Sequence, residues 1–210
     1  MSIVFDQVTK VIGRNTVIDH ISCTIQTGSI TGLKGINGSG KTMMMRLIAG
    51  LIYPTEGQVI VNGKVVGQEI SFPPSLGVML ENPACLDVYS GYDKLKLLAG
   101  IDRTISVAEI DQALSRVGLL EDKHKKYRKY SLGMKQRLGI AAAIMEHPTI
   151  LLLDEPTNSL DESGVELVRQ IVREERSRGA TVVLSCHDAA VLEDLADEII
   201  SIEHGRIVSA

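Results

Sequence analysis

Cysteine is scarce in this chain, positive charge is not in surplus, and no stretch stays apolar for long. Each shortage removes a class of protein. The three cysteines, Cys23, Cys85 and Cys186, are odd in number, scattered and without metal-ligand spacing. A disulfide framework is therefore not expected, and a reducing cytosol suits the chain. Acidic residues outnumber basic ones by 26 to 22, a formal net charge of −4. With no excess of cations to neutralise phosphates, the protein is not expected to be mainly a nucleic-acid binder. No apolar run approaches the roughly 18 to 20 residues of a membrane helix. The opening MSIVFDQVTK reads as a strand, not as a charged segment leading into an apolar one, so no signal peptide is expected. Any role at a membrane needs a partner. The 210 residues show neither an internal repeat nor a low-complexity linker, and their number suits one domain with a real core.

What the chain does have is an alternation of short apolar runs and helical patterns. SIVFDQV, SITGLKG and QVIVNGKVV read as strands, the last with Asn62-Gly63 as a tight hairpin turn. LGVML, TILLLDE and ATVVLSCHD are short, strongly apolar and end in polar residues, as buried parallel strands do when they carry functional groups at their C-terminal ends. EIISIEHGRIVSA reads as a closing hairpin turning near His204-Gly205. Helices are predicted over KTMMMRLIA, ending at Gly50, and over SVAEIDQALSRVG, where Ser106 and Glu109 have capping-box spacing. SLGMKQRLGIAAAIMEH, roughly ESGVELVRQIVREERSRG, and DAAVLEDLAD complete the set. From about residue 88 to 146 helices follow one another without strands, which reads as a helical insert between the halves of an α/β core.

The residues GINGSGKT satisfy G-x-x-x-x-G-K-[ST] in full, with Gly35, Gly40, Lys41 and Thr42 at the fixed positions. Glycines let the backbone turn its N–H groups inward, and the helix that follows aims its positive end at an anion. Lys41 can reach the β- and γ-phosphates of a nucleotide, and the Thr42 hydroxyl can ligate Mg²⁺. The candidate binding set is Gly35, Asn37, Gly38, Ser39, Gly40, Lys41, Thr42 and Met43, while the side chains of Met43, Met44 and Met45 are expected to pack beneath the helix. A nucleoside triphosphate is the expected ligand.

Further segments narrow the chemistry. ILLLDEP delivers Asp154 and Glu155 at the end of an apolar strand: Asp154 as a Mg²⁺ ligand, directly or through water, and Glu155 as the general base for an attacking water. Just upstream, in KYSLGMKQRLGIAAA, Ser131 can cap a helix whose N-terminus is again an anion site. Here the chain resembles the ATP-binding-cassette family, whose signature LSGGQ and following basic-glutamine-arginine run are matched by Tyr130 to Met134 and then Lys135, Gln136 and Arg137. The resemblance runs over essentially the whole chain. It carries the family's dimer-contacting aspartate onto Asp161 in NSLD, and its switch histidine onto His187 at the end of TVVLSCH.

The chain also departs from the family. The glutamine expected near position 80 is Glu81, in GVMLENP, a carboxylate that can ligate Mg²⁺ or orient water but adds negative charge beside Asp154 and Glu155. Glu81 together with SLGMKQR resembles the ATPase subunits of bacitracin- and lantibiotic-type resistance exporters. The adenine-stacking aromatic falls near Val11 and Ile12, neither of them aromatic, so weaker nucleotide affinity is expected. Leu132 and Met134 replace a glycine and a glutamine. The basic run KHKKYRK, residues 123 to 129, reads as a solvated loop.

The resemblance implies an α/β fold with a P-loop NTPase core, a mixed and mainly parallel sheet, an N-terminal antiparallel β subdomain and the helical insert, all in one nucleotide-binding domain over residues 1–210. It implies ATP and Mg²⁺ as ligands. Catalysis would rest on Glu155, His187 and Glu81, and the metal on Thr42, Asp154 and Glu81. A second copy of the chain would bring Ser131 and Gly133 to the γ-phosphate. A separate transmembrane permease would place the protein on the cytoplasmic face of the membrane, exporting a drug or peptide antibiotic. Two other classes stand beside this expectation. One is a soluble cassette protein acting on nucleic acid or ribosomes; the other is a regulatory subunit that binds ATP with little hydrolysis.

Overall fold

The computed structural model describes residues 2–80, 87–102 and 105–209. Two sheets organise them. An antiparallel sheet of order β2-β1-β4-β5 is built from β1 (Ser2–Ile12), β2 (Asn15–Gln26), β4 (Glu56–Val61) and β5 (Lys64–Val65). A six-stranded sheet of order β10-β9-β3-β8-β7-β6 contains β3 (Ile30–Lys34), β6 (Leu76–Met79), β7 (Ile150–Leu153), β8 (Thr181–Ser185), β9 (Glu198–Glu203) and β10 (Arg206–Ser209). All its pairings are parallel except the edge hairpin β9–β10.

The central strands β7 and β8 are buried along their whole length, which explains their unbroken apolar sequences. Because successive side chains alternate, each strand feeds two cores. Leu151, Leu153, Val182 and Leu184 join a core shared with the helices of one face: α2 (Gly91–Asp102), α3 (Val107–Arg116), α4 (Leu132–Ile144), α5 (Glu162–Ser177) and α6 (Ala189–Leu195). Ile150, Leu152 and Val183 point the other way, into a core with α1 (Lys41–Ile48) and the antiparallel sheet. Gly77 lets α4 lie directly on β6, since a Cβ there would stand 2.1 Å from the Ala143 carbonyl oxygen.

Both predicted hairpins are present, with Asn62 and Gly63, and His204 and Gly205, each pair at positive φ, the geometry of a type I′ turn. The capping box of α3 is complete: Ser106 Oγ accepts from the Glu109 N–H and Glu109 Oε2 accepts from the Ser106 N–H.

The 12-residue strand β2 was not foreseen, and β1 continues well beyond SIVFDQV. Bulges account for both. Gln7 and His20 take positive φ, and the β1–β2 register shifts between Phe5 and Val8 and again between Val8 and Lys10. The buried positions therefore run Ile3, Phe5, Val8 on one strand and Ile18, Ile21, Ile25 on the other, and the period of two is lost to inspection. The basic run lies at the surface, with His124, Lys126, Arg128 and Lys129 exposed, and departs from a solvated loop at its aromatic. Tyr127 is buried among the helices, its N–H donates to the Tyr89 carbonyl, and the ammonium groups of Lys94 and Lys135 lie over its ring. The aromatic pins the loop to the helical layer, and Lys123 bonds Asp111 at 2.8 Å.

One charge ties the layers together. The carboxylate of Glu175 on α5 is 1% exposed and bonds Arg116 at the end of α3 at 2.7 Å. Its other oxygen bonds Arg178, which also donates to the carbonyls of His147 and Pro148 at the entry to β7. The two guanidinium side chains are only partly covered, so removing the carboxylate is expected to cost near the low end for a broken buried pair, about 3 kcal/mol. Urea unfolding of Glu175→Ala checks this, and an unchanged midpoint would contradict it.

Candidate functional site

Parallel neighbours deliver their C-terminal ends to one edge of a sheet. β3 and β7 flank β8, so the loops after these three strands meet. From β3 comes the glycine loop, from β7 come Asp154 and Glu155, and from β8 comes His187.

The loop leaves β3 at Gly35, where a Cβ would stand 2.3 Å from the Ile202 carbonyl oxygen and 2.5 Å from Ser39 Oγ; only glycine fits. Gly38 and Gly40 take φ of 79° and 121°, which a side chain would strain. Asn37 and Gly38 are exposed, whereas Ser39 and Gly40 are buried. Lys41 is buried too, and its ammonium donates to the carbonyls of Gly35 at 2.7 Å and Ile36 at 3.2 Å. Met43 is half-buried against the core, beside the fully buried Met44 and Met45.

Three features of this loop fit an anion. Among the described residues no side chain caps the N-terminus of α1, so the first N–H groups of the helix have no side-chain acceptor there. Ser39 Oγ is buried without a hydrogen-bond partner among the described residues. Lys41 is a buried cation whose hydrogen-bond acceptors are main-chain carbonyls.

The acids lie directly opposite. Asp154 accepts from Thr42 Oγ1 at 2.5 Å and from Ser185 Oγ at 2.6 Å. Glu155 Oε2 accepts from the His187 N–H at 3.0 Å. Its Oε1 lies 3.3 Å from His187 Nε2 and 3.9 Å from Lys41 Nζ. Burial raises the Glu155 carboxyl above its ordinary range, against the opposing pull of the His187 and Lys41 charges; the neighbouring Asp154 adds to the rise. A carboxylate held in this way takes up a proton more readily than a solvated one, which suits a general base.

Ser131 and Gly133 belong to a different cavity. Ser131 caps α4, its side chain accepting from the Met134 N–H at 3.2 Å. With Leu132, Gly133, Ser159 and Asp161 it lines a cleft of about 700 Å³. Among the described residues no hydrogen bond joins this cleft to Lys41 or Thr42. Asp161 caps α5, and the Gly164 N–H and the Ser163 hydroxyl hold its carboxyl below the usual range. Val11 and Ile12 sit exposed at the β1–β2 turn. Glu81 lies outside the described residues. Two side chains to which the sequence assigned no role at the site complete it: Ser185, which bridges Asp154 to the Glu155 N–H at 2.9 Å, and Gln136 of the signature run, which donates to the Glu155 carbonyl at 2.8 Å. Ser185 stands in the apolar run before His187, where its hydroxyl is the one signal that could have marked it.

The sequence pattern of the ABC transporter family matches residues 18–158, a span that includes the glycine loop, Ser131, Asp154 and Glu155. The chain belongs to the ABC transporter family. It is similar to an uncharacterized ABC transporter ATP-binding protein, YybJ, of Bacillus subtilis (strain 168), with 47% identity over 199 residues, 95% of this chain and 91% of that one. It is also similar to the bacitracin transport ATP-binding protein BcrA of Enterococcus faecalis, with 38% identity over 205 residues, 97% of this chain and 67% of that one. The fold matches a solved ATP-binding subunit of an ABC transporter with a TM-score of 0.88 at 24% identity, over 100% of this chain and 89% of the other. As a cassette of this family the protein is an ATP-binding subunit and an ATPase.

Proposed function

We propose that the cassette hydrolyses ATP at the edge formed by Lys41, Thr42, Asp154, Glu155 and His187, and that it does so as a dimer powering a separate membrane permease. The observation that carries this reading is the convergence of a buried, carbonyl-held ammonium, an orphaned Ser39 hydroxyl and two carboxylates at one strand edge.

In this reading the glycine loop and the N-terminus of α1 bind the β- and γ-phosphates, and Lys41 turns its ammonium from the loop carbonyls to the nucleotide. Glu155 takes a proton from a water whose oxygen bonds to the γ-phosphorus as the bond to the ADP oxygen breaks. His187 holds the Glu155 carboxylate through its N–H and faces the same space with its ring. Thr42 and Asp154 are hard oxygen donors already paired with one another, and would hold Mg²⁺. That ion, when bound, neutralises charge on the phosphate oxygens.

The cleft of Ser131 and Gly133 is a second, separate anion site on the same chain, and the chain holds one glycine loop. Two copies arranged head to tail satisfy both, with the Ser131 cleft of one completing the ATP site of the other. The bond between the copies then exists with ATP and weakens with ADP, a differential contact of the kind a switch requires.

No helix among the described residues is long and apolar enough to cross a membrane, so the transported molecule would be handled by the permease, with the cassette peripheral on the cytoplasmic face. The likeness to a bacitracin transport ATP-binding protein supports a drug or peptide antibiotic as the cargo, which the permease would export. Residues 1–210 would act as one nucleotide-binding domain, with roughly 88–146 as its helical subdomain.

Phosphate release by the pure protein, with Mg²⁺ and with excess EDTA, tests this reading. Chelation is expected to lower the rate by at least about a hundredfold, as is Asp154→Asn in the presence of the metal. Release at full speed in EDTA would overturn it.

A further inference from the structure

Glu155 is a non-glycine residue in the left-handed region, at φ 50°, a conformation that persists only where its surroundings impose it. Three groups do so. Ser185 Oγ on β8 accepts its N–H at 2.9 Å, the His187 N–H binds its carboxylate at 3.0 Å, and Gln136 Nε2 on α4 donates to its carbonyl at 2.8 Å. The first two come from the strand next to β7 and the loop that follows it. Gln136 comes from the helical segment.

Gln136 is 7% exposed, a buried carboxamide on a helix whose other buried residues are apolar apart from glycine. It sits five residues after Ser131, the cap of the same helix, and α4 is held against β6 by the close approach at Gly77. A shift or tilt of α4 at its N-terminal end therefore carries the Gln136 amide with it, and through that amide the main chain of Glu155.

We infer that Gln136 is a positioning residue for the general base, making hydrolysis in one ATP site depend on the seating of the α4 whose own N-terminus faces the other site. The inference rests on the assignment of Glu155 as the base. It adds a path within one chain: an anion bound at Ser131 and Gly133 sets α4, and α4 sets Glu155. Each site would then report its occupancy to the other through a single hydrogen bond of 2.8 Å.

Gln136→Met keeps the length of the side chain and removes the donor; Gln136→Glu keeps the shape and sets a carboxylate against the carbonyl. Both are compared with wild type and with Glu155→Gln in steady-state phosphate release, ATP titration, thermal unfolding and light scattering with ATP and Mg²⁺. The expected result is a fall in kcat of about 10- to 100-fold in both variants, with KM and ATP affinity unchanged and the ATP-bound dimer outlasting that of wild type. A role in packing alone would lower the melting temperature and leave the kcat of the folded fraction intact, and that result overturns the proposal. So does wild-type kcat in either variant that folds. If Glu155→Gln itself hydrolyses ATP normally, the assignment of the base has failed, and the role of Gln136 falls with it.

Discussion

Glu155→Gln is expected to bind ATP with wild-type affinity and to hydrolyse it about a thousandfold more slowly. The reason lies in what the substitution keeps and what it removes. A glutamine oxygen still accepts the His187 N–H that now bonds Oε2, so the loop after β8 stays where it is. The amide is the size of the carboxyl, and no cavity opens. What is gone is the capacity to take a proton, together with a negative charge 3.9 Å from Lys41. Losing that charge favours the bound triphosphate, so slow turnover and undiminished binding go together. Steady-state phosphate release and a direct ATP titration separate the two effects, and unchanged release would remove Glu155 from the role of base.

Lys41→Ala should instead weaken binding. The ammonium is 6% exposed and held by the carbonyls of Gly35 and Ile36, with the nearest carboxylate oxygen among the described residues at 3.9 Å. A cation so placed owes its burial to a ligand more than to the fold, because carbonyl dipoles offset only part of its lost hydration. A charge-assisted bond to phosphate is worth about 3 kcal/mol, on the order of a hundredfold in Kd. Calorimetric titration with ATP should find at least that loss, while thermal unfolding without nucleotide changes little. An alanine variant that binds ATP like wild type would break the link between the glycine loop and the nucleotide.

The parallel core was legible in the sequence because its physics is local. Four consecutive buried positions in β7 and five in β8 appear as unbroken apolar runs, and the polar residues that end them mark the functional edge. The loop from Gly35 to Thr42 was legible for a different reason: its glycines are demanded by backbone approach at Gly35 and by positive φ at Gly38 and Gly40. The antiparallel sheet was half hidden, since the bulges at Gln7 and His20 break the alternation by which a strand is recognised. The burial of Tyr127 is masked by its basic neighbours; it depends in part on Tyr89 and Lys94, which are remote in sequence. Ser185 carried no mark in the sequence, and Gln136 was marked only by the signature run and not by its bond, because each acts on the main chain of a residue from another element. Spacing within a sequence carries no trace of such a bond.

The pairing of two cassettes around ATP is the claim on which the functional account turns, and light scattering measures it directly. Glu155→Gln at saturating ATP and Mg²⁺ should show twice the monomer mass and return to the monomer when ADP replaces ATP. A monomer mass throughout, with ATP binding confirmed in the same sample, would contradict the account.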